Sequence, residues 1–526
     1  MRQGRFCIAC YMALTIACMG APNQANAESS LLSRKEADSF ELKETDTMPA
    51  GELIRLKRYL RDNGISLSLN EAIIRGIQRN PELEETFNTI QQFEWQLIAA
   101  RRRWYPNIRL RNGTPFTGYQ WGTFVQNQYG LRGRGQRMER AAEDLFTSDR
   151  SESYVLQPGA TVNWNFIEPT RSPNINAASE ALEQQKFLFA VSARNLILQI
   201  QSSYFRAQRS MQLINYFEDI LKINESELRA AKARLVVSKA TILDVAQKHA
   251  QLHSQFDQLV NFINDYISDT AELAALTAAK PGQLIVPSQP AMMQGEWDIP
   301  LDKTLSLAIS QREEIKASMA AAQAASWRGV EAINSYLPVI GLTGNGNLNY
   351  NNGYANVLNG NDPGDAYRWQ RNWNANAGIG FKWSIFDGGI RLADSQAFQE
   401  QSDSLEAQAA NEELEAIRQV ESSYSLLETS KIALTSAKEA YKYAYLAQEA
   451  ARARYDAGVG DMTTVVQTMN QLARASAQVA NAIFDHNNSV AQLYRYSATW
   501  PEETESEVDE RTQNIRNGSN TTAEEE

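Results

Sequence analysis

Residues 173–239 of the chain read PNINAASEALEQQKFLFAVSARNLILQIQSSYFRAQRSMQLINYFEDILKINESELRAAKARLVVSK. Along this stretch, residues that are mostly apolar or small recur at alternating steps of four and three. These seam positions are Leu182, Lys186, Phe189, Ala193, Leu196, Ile200, Ser203, Ala207, Ser210, Ile214, Phe217, Leu221, Asn224, Leu228, Ala231 and Leu235. A seven-residue repeat held this long imposes a left-handed coiled coil. At 1.5 Å per residue, about 65 helical residues span roughly 100 Å, so the stretch predicts a long rod.

A second stretch, residues 389–458, carries the same pattern. Its seam is Leu405, Ala409, Glu412, Ala416, Val420, Ser423, Leu427, Ser430, Leu434, Ala437, Tyr441, Ala444, Gln448, Ala451 and Tyr455. The two seams coincide at an offset of 220, and Trp164 precedes Trp383 by 219 residues. Pro106 likewise precedes Pro338, by 232 residues. Self-similarity over this length indicates a tandem duplication of roughly 200 residues.

The N-terminus has the composition of a secretory signal peptide. Arg2 and Arg5 precede an apolar core, and Ala25-Asn26-Ala27 offers a small-residue cleavage site, which predicts a signal at residues 1–27. This segment holds two arginines and no acidic residue, so its removal takes the net charge from -11 to -13. An acidic chain of this kind argues against a nucleic-acid partner.

All three cysteines of the chain lie in the same N-terminal segment, at Cys7, Cys10 and Cys18. The exported protein is therefore expected to contain no disulfide. Lipidation of Cys18 is an alternative that the sequence leaves open, although Thr15 stands where a lipidation signal has an aliphatic residue.

Residues 107–126 are extended in character, with glycine and threonine throughout, and three later segments alternate with a period of two. Together they predict strands at about 107–126, 153–168, 338–355 and 371–387. One side carries aromatic and aliphatic residues, and the other carries asparagine, glycine and threonine. The residues expected to face lipid are Trp164, Phe166, Trp373, Ile379, Phe381 and Trp383. This alternation is typical of an outer-membrane barrel, although a soluble sheet with one buried face shows it too.

Four strands are too few for a barrel, because the smallest usual barrels have about eight. Backbone groups in lipid must all be paired, so a membrane sheet has to close on itself. Several chains must therefore share one barrel, and two, three or four copies would supply eight, twelve or sixteen strands.

Helices are expected at about 69–104, 173–238 and 241–279, and again at 301–335, 389–457 and 462–499. The resulting order is a signal peptide (1–27), an N-terminal extension (28–66), a first repeat (67–281), a linker (282–300), a second repeat (301–500) and an acidic tail (501–526). The two short helices of a repeat together match the length of its long helix, which places the hairpin turn far from the strands.

An enzyme and a structural rod are the two alternative classes of protein. His249 and His253 lie one helical turn apart and could bind a metal, but no HExxH pattern or nearby cysteine accompanies them. We therefore expect no catalytic residue, cofactor or metal. A periplasmic coiled-coil rod without channel activity is the second alternative.

Several short motifs carry a family resemblance. They are Asn80-Pro81-Glu82-Leu83, Trp104-Tyr105-Pro106, Tyr336-Leu337-Pro338, Trp383-Ser384-Ile385-Phe386-Asp387-Gly388-Gly389 and Arg454-Tyr455-Asp456-Ala457-Gly458-Val459-Gly460. With these motifs in order and duplicated, residues 67–500 resemble the TolC family of outer-membrane efflux proteins. The resemblance implies a mainly α protein with membrane β-structure: a trimeric 12-stranded outer-membrane β-barrel, with four strands per chain, continuous with a long periplasmic α-helical coiled-coil barrel.

The resemblance also implies a function and partners. The expected function is an outer-membrane channel that exports small molecules, such as drugs and toxic compounds, or secreted proteins. The expected partners are two further copies in a homotrimer, a periplasmic adaptor (membrane fusion protein), an inner-membrane transporter and outer-membrane lipid.

In the family, the hairpin tips contact the adaptor and close the resting pore. The tip residues expected to do so here are Ser238, Lys239, Ala240, Thr241, Gly458, Val459, Gly460 and Asp461. Candidate gate or pore-lining residues are Asp244, Arg454, Tyr455, Thr464 and Gln467. Three copies of Asp244 would form a carboxylate ring that favours cations, whereas the alternative is an ordinary solvated helix residue.

Overall fold

The structure is a computed structural model that describes residues 63–127, 146–359 and 362–500. The expected signal peptide (1–27), residues 28–62 of the expected extension and the expected acidic tail (501–526) lie outside the described residues.

The two repeats have the same order of elements. The first contains β1 (Gly64–Leu67), α1 (Leu69–Arg79), α2 (Pro81–Arg102), β2 (Asn107–Asn127), β3 (Phe146–Ile167), α3 (Arg171–Val236) and α4 (Ile242–Leu276). The second contains β4 (Leu284–Pro287), α5 (Leu301–Gln311), α6 (Glu313–Asn334), β5 (Val339–Asn359), β6 (Asp362–Lys382), α7 (Ile390–Asp456) and α8 (Met462–Tyr496). The tandem duplication is therefore confirmed at the level of the fold.

The long helices that the heptads predict are present as α3, with 66 residues, and α7, with 67 residues. The seam of α3 is buried from Leu182 to Ala231, with Lys186 as its one half-buried member. The seam is buried because α4 packs along the far half of α3, while α1 and α2 pack along the half nearer the strands.

The first helix of each repeat is broken, contrary to the single helices expected at 69–104 and 301–335. In the first repeat α1 ends at Arg79 and α2 starts at Pro81, because the Asn80 side chain caps α2 by accepting the N–H groups of Glu82 and Leu83 at 2.9 and 3.3 Å. Proline at the first helical position favours such a start. The second repeat breaks at Arg312, which is extended and does not cap α6 with its side chain.

A two-stranded parallel sheet joins the expected extension to the expected linker, where no strand was anticipated. Gly64 pairs with Leu284 and Leu67 with Pro287. The Tyr204 hydroxyl of α3 donates to the carbonyl oxygen of Leu67 at 3.2 Å. This small sheet therefore lies against the middle of the long helix α3.

The remaining strands form one antiparallel sheet in the order β2-β3-β5-β6. Strands β3 and β6 begin earlier than the expected 153 and 371, and β6 ends at Lys382 rather than 387. Trp383 thus lies beyond the strand that was expected to contain it. After the strand, the Asp387 carboxylate accepts the N–H groups of Gly389 and Arg391 at 3.0 and 3.3 Å, at the start of α7.

Candidate functional site at the hairpin tips and the sheet

The tip of the first hairpin is a tight turn between α3 and α4. Ser238 donates its N–H to the Leu235 carbonyl at 3.0 Å, and Lys239 donates to that of Arg234 at 2.8 Å. These two bonds satisfy carbonyl groups that the end of a helix leaves unpaired. The turn places Ser238 at φ 57°, a left-handed conformation that is unfavourable for a residue other than glycine.

The tip of the second hairpin, between α7 and α8, has the same backbone geometry. Gly458 donates to the Tyr455 carbonyl at 3.0 Å, and Val459 donates to that of Arg454 at 3.0 Å. Gly458 has φ 74° and occupies the position of Ser238. The two turns therefore differ in side chains and agree in backbone hydrogen bonds.

Each return helix starts with a threonine and an aspartate three residues apart, in opposite order. In the first hairpin Thr241 is the cap, and its N–H and hydroxyl both donate to one carboxylate oxygen of Asp244 at 2.8 Å. In the second hairpin Asp461 is the cap, and it accepts the hydroxyl of Thr464. Asp244, a candidate pore-lining residue, is thus already engaged in a helix cap.

The two tips of one chain contact each other through Arg234, which the sequence analysis did not single out. Its guanidinium lies 2.6 Å from the Asp456 carboxylate and 4.8 Å from the ring centroid of Tyr455. Burial raises the pKa of Tyr455, and the nearby charge of Asp244 raises it further. Of the five candidate gate residues, Tyr455 is therefore the one that this contact between the tips includes.

Three further candidates, Arg454, Thr464 and Gln467, are exposed on the second hairpin. Arg454 is the repeat equivalent of Arg234, at the offset of 220. The signal that could have identified Arg234 is the match of Ala231-Lys232-Ala233-Arg234 with Ala451-Arg452-Ala453-Arg454 at that offset.

The exposed surfaces of the two tips differ. Large aliphatic residues of the first tip are 61–84% exposed, and they are Val236, Val237, Ile242 and Leu243. Among the described residues of the second tip, Val459 is the one large aliphatic side chain with comparable exposure, at 73%. Monomeric proteins seldom expose clustered aliphatic residues without a partner surface.

Below the tips, a lysine is buried in the helical core. Lys248 of α4 has no exposed surface, and its ammonium group forms an ion pair with Glu227 of α3. The ammonium also lies 3.4 Å from the side-chain oxygen of Asn224 and 3.5 Å from that of Gln251. Burial lowers the pKa of Lys248, whereas the charge of Glu227 acts in the opposite direction.

The sheet separates an apolar face from a polar one. Trp164, Leu342 and Ile379 are cross-strand neighbours in one row, and Thr161, Asn345 and Asn376 are neighbours in another. Trp373, Ile379 and Phe381 are about three-quarters exposed, at 77%, 74% and 75%. The apolar face is therefore not covered by a protein core in the single chain.

Matching contacts hold the ends of β3 and β6 to the helices. The indole N–H of Trp164 donates to the Trp104 carbonyl at 2.9 Å, and that of Trp383 donates to the Tyr336 carbonyl at 2.9 Å. Trp164 is 38% exposed and Phe166 is half-buried, with their ring centroids 6.0 Å apart. These aromatic residues thus mark the boundary between sheet and helices in both repeats.

Arginines stack at the same boundary. The guanidinium of Arg171 lies 4.3 Å from the ring centroid of Trp104, and the guanidinium of Arg391 lies 5.2 Å from the ring centroid of Tyr336.

Among the described residues, no helix is long and apolar enough to cross a membrane.

Comparison with known proteins extends these findings. The sequence model of the outer membrane efflux protein family matches residues 73–279 and 304–499, once in each repeat. The chain is 22% identical to the outer membrane protein TolC of Vibrio cholerae serotype O1 over 370 residues, which is 69% of this chain and 82% of that protein.

Two solved structures are similar in fold. The outer-membrane channel OprN has a TM-score of 0.64 at 16% identity, covering 82% of this chain and 90% of OprN. The CmeC outer membrane channel of Campylobacter jejuni has a TM-score of 0.64 at 16% identity, covering 85% and 89%. The resemblance to the TolC family is confirmed: the chain belongs to the outer membrane efflux protein family and is an outer-membrane protein whose helices extend into the periplasm.

Proposed function

We propose that the protein is the outer-membrane conduit of an export system, formed by three copies that share one twelve-stranded barrel. The observation that carries this proposal is the sheet, which has one exposed apolar face, one polar face and two outer strands, β2 and β6, each paired on one side. Exposed backbone at a sheet edge is not tolerated in lipid. Joining β2 of one copy to β6 of the next removes both edges and turns the asparagine-rich face toward a water-filled lumen.

The hairpin tips are the proposed contact with a periplasmic adaptor, which would connect the conduit to an inner-membrane transporter. Residues 238–241 and 458–461 form the turns, and the exposed aliphatic residues beside the first turn offer an apolar surface. The second turn offers Gly458 and Gly460, which let a partner backbone approach closely. Small molecules are the proposed cargo, and secreted proteins are the alternative.

The test is a recording of ion currents from the purified, detergent-solubilised protein in a planar lipid bilayer. The proposal predicts discrete conducting steps. Asp244→Asn serves as the matched variant, because a ring of three Asp244 carboxylates at the tip predicts a cation preference that this change weakens. Absence of conductance from a protein that washes out of membranes without detergent would contradict the proposal and favour a periplasmic rod.

A further inference from the structure

The ion pair of Lys248 and Glu227 is unusual for a coiled-coil core. Their side chains are 0% and 7% exposed, respectively. A buried charge is strongly unfavourable unless a partner of opposite charge and hydrogen bonds compensate it. Each of these two residues is therefore tolerated in the core because the other is present.

The same pair connects the two hairpins of the chain. While one oxygen of Glu227 meets Lys248, the other accepts the side-chain N–H of Gln448 on α7 at 3.1 Å. Gln251, one turn beyond Lys248 on α4, donates to the Val466 carbonyl on α8 at 3.3 Å. A single turn of α4 thus contacts α3 through Lys248 and α8 through Gln251, and Glu227 of α3 extends the polar cluster to α7.

The second repeat has no equivalent of this charged cluster. The residues that correspond to Asn224, Glu227, Lys248 and Gln255 at the offset of 220 are Ala444, Ala447, Thr468 and Ala475. The Thr468 hydroxyl donates within its own helix, to the Thr464 carbonyl at 3.0 Å. The charged cluster therefore belongs to the first hairpin alone, although both hairpins share one backbone design.

We propose that Lys248 is a positioning residue that couples the two hairpins below their tips. It neutralises Glu227 in the core, and the neutralised Glu227 holds α7 through Gln448. If Lys248 is removed, the Glu227 carboxylate is left buried without a counter-charge, and hydration of that carboxylate drives α7 away from α3. If Glu227 is made neutral as well, the reason for separation disappears.

Double electron–electron resonance between spin labels at the two tips tests whether Lys248 couples the two hairpins. The labels are attached to Lys239→Cys and Val459→Cys, both exposed, in a chain without other cysteines outside residues 1–27. The labelled chain is co-produced with an excess of cysteine-free chain, so that distances within one chain dominate. The measurement reports coupling whether or not the protein conducts ions, which separates its failure from failure of the proposed function.

In this background Lys248→Met is expected to broaden the distance distribution and extend it to longer distances, at unchanged helix content. Lys248→Met combined with Glu227→Gln is expected to restore the original distribution, because glutamine is neutral and still accepts the bond from Gln448. Lys222→Met is the matched control, because Lys222 forms an exposed ion pair with Asp219 on the same helix. Exposed pairs contribute little, so this control is expected to change nothing.

Two outcomes would overturn the proposal. One is a distance distribution that Lys248→Met leaves unchanged. The other is a combined variant that is folded and remains as broad as Lys248→Met, which would show that packing rather than charge is responsible. If Lys248→Met does not fold, the single variant Glu227→Gln is measured instead. It tests the same ion pair by leaving the buried ammonium group of Lys248 without a counter-charge.

Discussion

The first and second hairpins share a backbone and differ in chemistry. Both tips have the same two turn hydrogen bonds and a left-handed residue at the same place, Ser238 in one and Gly458 in the other. The first hairpin has the buried Lys248 and an exposed aliphatic tip, whereas the second has Thr468 and a glycine turn. The duplicated halves can therefore be used as controls for each other, because one backbone presents two different sets of side chains.

The break in the short helices shows the same contrast. In the first repeat Asn80 makes neutral contacts, and its side-chain N–H donates to the Leu276 carbonyl at 3.0 Å. In the second repeat Arg312 and Arg495 both form ion pairs with Glu314, and Arg194 lies 2.9 Å from Glu313. The same kink is thus held by an amide in one half and by charged groups in the other.

The largest difference is expected at the buried lysine. Lys248→Met should lower the free energy of unfolding by about 3–5 kcal/mol, because it leaves Glu227 buried without a counter-charge. The repeat-equivalent Thr468→Met should stay within about 1 kcal/mol, since Thr468 is half-buried and carries no charge. Guanidinium unfolding of the detergent-solubilised protein, followed by circular dichroism, measures both. Equal losses would show that the two hairpins do not differ in this respect.

Substitutions at equivalent positions in the two halves of the sheet should have similar effects, in contrast to substitutions in the two hairpins. Tyr154 and Trp373 are exposed equivalents at the offset of 219. A lysine at either position should disfavour membrane insertion by about 2–4 kcal/mol if the residue lies near the bilayer centre. Asn374→Lys, next to Trp373 on the opposite face, should insert nearly normally. Partitioning into lipid vesicles across a urea series measures this, and greater damage from Asn374→Lys would reverse the assignment of the faces.

Acid should destabilise the helix break at Arg312, which ion pairs hold, more than the helix break at Asn80, which an amide holds. Burial alone raises the pKa of Glu314, but the charge and hydrogen bond of Arg495 outweigh it and hold this pKa below its ordinary value of 4.5. The pair therefore stabilises the fold above about pH 4.5, and this contribution is lost as pH falls through the lower folded value.

Glu314→Gln should accordingly remove about 1–3 kcal/mol at neutral pH and flatten the decline of the thermal midpoint in acid. Glu82→Gln, the exposed equivalent in the first repeat, is the control and should change neither quantity. A midpoint whose acid dependence is the same in Glu314→Gln and in the unaltered protein would contradict this explanation.

The smallest effect is expected at the turns, and its sign should invert between them. Ser238→Gly should stabilise the protein and Gly458→Ser should destabilise it, each by about 1 kcal/mol, because both positions require a left-handed backbone. The thermal midpoints of the two variants check this. A change of the same sign in both would mean that side-chain contacts at the tip outweigh the backbone preference.

Much of this architecture was predictable from sequence. The unbroken heptads predicted α3 and α7 because a periodic seam over roughly fifteen helical turns, at 3.6 residues per turn, has few competing interpretations. The break at Asn80-Pro81 was missed because the helical pattern continues across it, even though proline marks a helix start. Strands β1 and β4 were missed because four residues are too few to show alternation.

The polar core was less accessible to sequence reasoning. Asn224 and Gln448 were both recognised as seam positions, but the pattern does not say which polar residues of different helices meet. Lys248 and Glu227 are 21 residues apart in sequence and lie on opposite arms of the hairpin. Arg234 was likewise missed in favour of its repeat equivalent Arg454, because the choice depends on how the two hairpins pack.

Native mass spectrometry of the detergent-solubilised protein tests the central claim most directly, because the single chain leaves two sheet edges open. The account predicts a particle of three chains, whose sheets together close one barrel. A particle of one or two chains that survives extraction from the membrane would contradict it, since three chains are needed to supply twelve strands.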